Sequence, residues 1–223
     1  MKLKLFEEYL GDVIAFKEPK IQLEQYPTSA HLASRILYTA ENTYGDIDGK
    51  AVVDLGCGCG MLSIAACIMG ASSVVGIDID HAALETAQEN IDEFDTGGTV
   101  DLIQASICIE TSDGLLALNE DLTFRMSKKF DTAILNPPFG TKPGNKGIDT
   151  LFLQAACAMT RNAVYSLHKT STRDYIVRKA KSWGFECDVL AELKFDIPMM
   201  YKFHKKKSVD VGVDLVRLYR KSG

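Results

Sequence analysis

Apolar residues in this chain cluster into short blocks whose spacing alternates between two periods. Lys50 to Leu55 (KAVVDL), Ser73 to Ile77 (SVVGI), Val100 to Gln104, Phe130 to Leu135 and Ala163 to Leu167 are strand-length runs, near-continuous in apolar residues, as strands buried on both faces should be. Between them the apolar residues recur at helical spacing: Met61 to Met69, His81 to Phe94 with Ala82, Leu84, Ala87 and Ile91 inward, Leu151 to Met159, and Arg173 to Trp183. This alternation predicts a mostly parallel sheet with helices on both faces. Glu186 to Phe195 and Val211 to Arg220 follow as consecutive strands with no helix between them, so they should pair antiparallel.

Ahead of the alternation, a short amphipathic helix runs to about Asp12, and Pro19 and Pro27 impose extended structure. A helix is then expected over Ser29 to Tyr44, with Leu32, Ala33, Ile36, Leu37 and Ala40 on its apolar face and Thr28 or Ser29 as its cap. The link from 108 to 129 is longer than ordinary and reads as a partly mobile insertion. The organisation expected is one domain over 1–223, with N-terminal cap helices over 1–48 and the sheet and its helices over 49–223.

Composition narrows the classes without choosing among them. An apolar fraction of 46% and a charged fraction of 25% exclude wholesale disorder. Leu55 to Ile77 carries no charge over 23 residues, but its five glycines and three serines break it into strand, loop, helix and strand, so a membrane span is not expected. The opening MKLKLFEEYLGD gains acidic residues before any apolar core, so no signal peptide is expected and the compartment should be cytosol or nucleus. The six cysteines lie singly in apolar segments apart from Cys57 and Cys59, in the manner of reduced, buried thiols. CxC within GCGCG has neither the partners nor the loop geometry of a zinc site, so no metal is expected.

Charge is uneven along the chain. Residues 1–160 hold 11 Lys/Arg against 23 Asp/Glu, and 161–223 hold 14 against 7, so a net −5 divides into −12 and +7. A polyanion-facing C-terminal third follows.

The candidate chemistry sits at two strand ends. VVDLGCGCGML places Gly56, Gly58 and Gly60 between a strand and a helix, where the backbone can turn sharply, approach a ligand and offer helix N-terminal N–H groups. The spacing is G-x-G-x-G, with Met61 where a dinucleotide fingerprint needs its third glycine. Asp78 ends the next strand, placed to accept from a ribose diol, with Asp80 a lesser candidate and a possible helix cap. DLGCGCGMLSI followed by GIDID resembles the cofactor half of class I S-adenosylmethionine-dependent methyltransferases, which implies a Rossmann-like α/β fold of seven strands, mostly parallel with one antiparallel.

The second strand end is ILNPPFG. Asn136, Pro137, Pro138 and Phe139 resemble the [DNS]-P-P-[YFW] motif of methyltransferases acting on a planar amine or amide nitrogen. Such a nitrogen donates its lone pair into its π system, so it needs acceptors for its N–H bonds before it can attack. The Asn136 side-chain oxygen and the Pro137 carbonyl could each accept one, the prolines would hold them rigid, and Phe139 could stack on an extruded base. The task is alignment, and it requires neither metal nor histidine.

EQYPT, DLGCGCG, NPPFGTK, AVYSLHK and YKFHKKKSVDV, taken in order, are similar to the methyltransferase-like protein five family, which makes N6-methyladenosine in small-subunit ribosomal RNA. The resemblance implies that Gln25 and Thr28 close over S-adenosylmethionine, that Gly56, Cys59 and Met61 line the glycine loop, and that Asp78 holds the ribose. It also implies an aspartate beside the adenine, where this chain has Ser106 and Ile107, with a hydroxyl that bonds the adenine amine less strongly than a carboxylate. A heterodimer with a small zinc-binding activator subunit covering an apolar sheet edge, and residence in nucleus, nucleolus and cytoplasm, are further implications of the resemblance. Lys202, His204, Lys205, Lys206 and Lys207 form the expected RNA contact. Two rivals remain: a protein-glutamine methyltransferase of release factors, which gives no reason for the lysine-rich hairpin, and a non-catalytic cofactor-binding scaffold, against which the intact Asn136, Pro137 and Phe139 argue.

Overall fold

The computed structural model describes residues 1–198 and 208–221. The chain enters through α1 (Leu3–Leu10), a 3-10 turn at Ile21–Leu23, and α2 (Ala30–Tyr44). Ser29 is the cap of α2, its hydroxyl accepting from the Leu32 N–H at 3.2 Å, and all five predicted apolar-face residues are buried. Then come β1 (Ala51–Leu55), α3 (Met61–Ile68), β2 (Ser73–Asp78), α4 (His81–Glu93) and β3 (Val100–Gln104). After a hairpin of β4 (Cys108–Glu110) and β5 (Leu116–Leu118) and a short α5 (Glu120–Arg125), the chain continues through β6 (Phe130–Leu135), α6 (Ile148–Met159), β7 (Thr160–Lys169), α7 (Arg173–Ser182), β8 (Glu186–Pro198) and β9 (Ser208–Tyr219).

Seven strands form one sheet in the order β3-β2-β1-β6-β7-β9-β8. All neighbours are parallel except β9, which is antiparallel to β7 and to β8, as a strand pair joined without a crossover helix must be. From β1 the order runs outward to β3 on one side and, beginning with β6, to β8 on the other. The β1/β6 boundary is therefore the topological switch point, where open α/β sheets bind ligands beyond the carboxyl ends of their strands. Asp54 pairs with Gly76 of β2 and with Ile134 of β6, so the glycine loop after Leu55 and the Asn136 turn after Leu135 emerge side by side.

Strand alternation separates two cores. Val52, Ile134, Tyr165 and Leu167 pack with α1, α2 and α3, whereas Val53, Leu55, Ala133, Leu135 and Val164 pack with α6 and α7 on the opposite face. One expectation needs correction. On α4 the inward residue is Ala83, with Ala82 exposed, which brings Asn90 onto the buried stripe. The 108–129 insertion is not an irregular loop: its first part is an antiparallel hairpin closed by Thr111 N–H to Leu115 O at 2.8 Å, and α5 follows. Asn119 ties it down, accepting from Leu122 N–H at 3.1 Å to cap α5 and donating to Ser106 O at 2.9 Å. Among the described residues no helix is long and apolar enough to cross a membrane.

Candidate active site

A cavity of ≈ 1020 Å³ opens at the switch point. Its floor is the glycine loop, where Gly56, Gly58 and Gly60 all take positive φ (74°, 53° and 84°), a region that side-chain-bearing residues rarely enter. Space enforces the choice as well: a Cβ on Gly58 would lie 2.7 Å from the ring of Phe16, and one on Gly56 3.1 Å from the ring of Phe152. Gly60 caps α3 without a side-chain acceptor, so in the first turn Ser63 N–H turns to the Asp54 carboxylate and the N–H groups of Met61 and Leu62 get no acceptor from the cap.

Asp78 braces this loop from the end of β2. Its Oδ2 accepts from Gly58 N–H at 2.8 Å and its Oδ1 from Asp80 N–H at 2.9 Å. Each oxygen keeps further lone-pair capacity for a hydroxyl donor. Burial outweighs these bonds and raises the Asp78 carboxyl above its ordinary range. Asp80 is the cap of α4, accepting from Ala82 N–H, and also takes bonds from Lys20 Nζ and from Gln25 Nε2 at 2.8 Å. Burial opposes its charge, but Lys20 and Gln25 prevail and hold Asp80 below the ordinary carboxylate range.

Asp54 lies one strand away, 1% exposed, on the face of β1 that meets α3. Its Oδ2 accepts from Ser63 Oγ at 2.7 Å; its Oδ1, among the described residues, has no hydrogen-bond partner, and the residue lines the cavity. Burial pushes this carboxyl up to about 7, against the Ser63 hydrogen bond. The same burial raises Cys57, and raises Cys59 to about 12, so neither thiol is a nucleophile at neutral pH.

The roof is an N-terminal strap, residues 11–29. Asn90 of α4 holds it like a strand partner, accepting from Ile14 N–H and donating to Ile14 O and to Cys59 O, all at 2.9 Å. At the acceptor side Asn136 Nδ2 donates to Thr28 Oγ1 at 3.0 Å. That bond orients the amide and leaves Oδ1 to accept from a bound amine.

Gln25, Thr28, Gly56, Cys59, Met61, Asp78, Ser106, Ile107, Asn136 and Pro138 all line this cavity. Ser106 donates its hydroxyl proton to Cys108 O, so toward a ligand it acts as an acceptor. Pro137 and Phe139 line an adjoining crevice of ≈ 10 Å³ with Glu24, Tyr26 and Asn136, and Asn136 lines both spaces. Phe139, expected to stack on a base, is 4% exposed and packs into the core with Ile134 and Tyr165 beside this crevice, so stacking on a base requires it to move. Lys202, His204, Lys205, Lys206 and Lys207 lie outside the described residues. Sequence reasoning missed Asp54, Asn90 and Glu24. Asn90 had a signal, a polar residue on the apolar stripe of α4, whereas nothing local marks Glu24.

The cavity, the glycine cradle and the orphaned Asp54 oxygen together fit an elongated ligand with a diol and a cationic amine, which are features of S-adenosylmethionine. A family model described as ribosomal protein L11 methyltransferase (PrmA) matches residues 34–118, which carry the glycine loop and Asp78 but end before Asn136. A crystal structure of a candidate RNA methyltransferase of Pyrococcus horikoshii superposes with a TM-score of 0.81 at 32% identity, over 99% of this chain and 98% of that one. Among curated proteins, the rRNA N(6)-adenosine-methyltransferase Mettl5 of Drosophila melanogaster is 45% identical over 97% of this chain and 96% of its own length. METTL5 of Danio rerio, of the same description, reaches 52% over 97% and 98%. With the switch-point cavity and the Asn136 turn in place, relatedness of this extent over whole chains shows that the chain belongs to the METTL5 family of rRNA N(6)-adenosine methyltransferases.

Proposed function

We propose that this protein transfers a methyl group from S-adenosylmethionine to the N6 amine of an adenosine in small-subunit ribosomal RNA. The observation that carries this reading is Asn136, which lines both the large cavity and the crevice beside it, with its amide orientation fixed by Thr28. The family supports rRNA adenosine as substrate; small-subunit RNA rests on the motif resemblance.

When bound, S-adenosylmethionine supplies an electrophilic methyl on a sulfonium. The chain's own residues bind and align. Asp78 would hold the ribose hydroxyls, Asp54 would balance the ammonium of the methionyl end with its unpartnered Oδ1, and Ser106 and Ile107 would hold the adenine. Gln25, seated on Asp80, covers the cavity. Asn136 Oδ1 and the Pro137 carbonyl accept the two N–H bonds of the target amine, turning its lone pair toward the cavity, and the prolines hold both acceptors in place before substrate arrives. The methylated nitrogen sheds its proton to water, since a neutral amide and a carbonyl cannot hold it. Admission of the base requires the crevice to widen at Phe139 and Tyr26.

Lys202, His204, Lys205, Lys206 and Lys207 supply phosphate contacts in this reading, supported by the +7 charge of the C-terminal third. A heterodimer with the small zinc-binding activator subunit is part of the proposal. It is supported by the free edge of β3 and by exposed Ile109 and Leu115 on the hairpin that follows it. Nucleus, nucleolus and cytoplasm are the proposed sites of action, as for an enzyme of ribosomal RNA.

The test is Asn136→Ala, assayed by mass spectrometry of ribosomal RNA nucleosides. Loss of N6-methyladenosine with cofactor binding retained is expected, and unchanged methylation would overturn the assignment.

A further inference from the structure

We propose that Glu24 is a positioning residue, tying closure of the N-terminal strap over the cofactor cavity to the geometry of the acceptor turn 136–145. This rests on the reading that Asn136 and Pro137 hold the target amine.

Glu24 stands 117 to 121 residues from its partners in sequence, yet it is 5% exposed and fully engaged. Its carboxylate accepts from Thr141 N–H at 3.0 and 3.1 Å, Thr141 Oγ1 at 2.7 Å, Lys142 N–H at 3.4 Å and Asn145 Nδ2 at 3.0 Å. Its backbone is left-handed, with φ 51°, at the end of the Ile21–Leu23 turn. A glutamate holds that conformation only where its surroundings over-determine it.

The neighbours on the strap face the other half of the site. Gln25 donates to Asp80, and Asp80 N–H donates to Asp78, the proposed ribose acceptor. Three residues further on, Thr28 accepts from Asn136. Consecutive strap residues therefore join the cofactor side to the acceptor side, and the strap cannot lift from Asp80 without pulling on Thr141. The chain between Asn136 and Thr141 has little slack: the rings of Pro137 and Pro138 fix their φ, Phe139 is buried in the core, and Gly140 lies so close to Asn145 that a Cβ there would be 2.9 Å from Asn145 O. A displacement at Thr141 thus passes to Pro137 and Asn136 instead of being absorbed. The proposal gives the strap a seated state, the one these contacts describe, and a lifted one, with cofactor binding selecting the seated state.

Four donors converge on a carboxylate, so Glu24→Gln sets an NH₂ group against some of them without changing size. Backbone hydrogen exchange at Thr141 and Lys142 is measured on the full chain with and without S-adenosylhomocysteine, which occupies the cavity without turnover. In the wild type, ligand should slow exchange at both amides about tenfold, and in Glu24→Gln this slowing should vanish. Under saturating cofactor, kcat should fall about tenfold while KM for RNA and the affinity for S-adenosylhomocysteine stay within about threefold. Glu24→Asp should recover part of kcat, and Thr141→Val, which removes one donor from the opposite side, should lower kcat in the same sense. Ligand-induced slowing persisting in Glu24→Gln, or wild-type kcat in both Glu24→Gln and Thr141→Val, overturns the proposal. Activity surviving Asn136→Ala would instead unseat the acceptor reading on which it rests.

Discussion

Asn136 and Thr28, 108 positions apart in sequence, meet side chain to side chain at 3.0 Å. The bond spends the amide's donor on the strap and reserves its acceptor for substrate, so the hydroxyl of Thr28 sets which end of Asn136 faces an incoming amine. Thr28→Val keeps the shape and removes the partner. It should lower kcat about tenfold with little change in thermal midpoint, because misorientation at the reacting centre costs rate more than fold. Single-turnover methylation of ribosomal RNA checks it.

Asp78→Ala removes both the proposed ribose acceptor and the brace on Gly58. Cofactor affinity should drop at least about tenfold, seen as loss of ligand-induced thermal stabilisation. Equal stabilisation of mutant and wild type counts against the ribose role.

Asp54 predicts a pH dependence with a definite sign. Its folded-state value is raised from 3.8 to about 7 by burial, so between those values the native protein holds a proton that the unfolded chain releases. Stability of the ligand-free protein should therefore fall as pH rises through that window, with Asp78, raised in the same direction, adding to the slope. Cofactor binding should show the opposite trend, since a cationic amine needs Asp54 ionised: affinity should be about tenfold weaker at pH 6 than at pH 8. Asp54→Asn should flatten both profiles, which thermal unfolding and titration calorimetry across pH would reveal.

At the far end of the sheet, Asp46 accepts from Tyr165 Oη and Asn162 Nδ2 at 2.7 Å and from Arg217 at 2.9 Å, and Arg217 stacks on Tyr44 and Tyr219. Asp46→Ala strands a nearly buried guanidinium, with an expected loss of about 3–5 kcal/mol. For a chain of this length that is a drop of about 6–20 °C in midpoint. Cofactor affinity of the folded fraction should be unchanged, because no member of this network lines the cavity.

The sheet and its crossovers were legible because each parallel strand is an apolar run bounded by a helical period, and the glycine loop because three alternating glycines meet three positive φ values. The hairpin at 108–129 was missed although Asp113-Gly114 is a turn signal, since strands of three residues leave almost no periodicity to read. The contacts of Glu24 depend on a chain segment more than a hundred residues away, and no local pattern encodes such distances; the burial of Phe139 depends on the neighbouring strand that carries Tyr165. Ser106 is expected from the sequence as a weaker adenine partner than an aspartate, and its bond to Cys108 O emerges only once the hairpin folds back.

The strap also bears on how the molecule comes to exist. Glu24 and Thr28 are made more than a hundred residues before Thr141 and Asn136, so this part of the strap must wait for its partners even after Ile14 and Gln25 can meet Asn90 and Asp80. Their docking is the closing of a very long loop, possible only once the central strands stand together, so the roof of the site should be laid last.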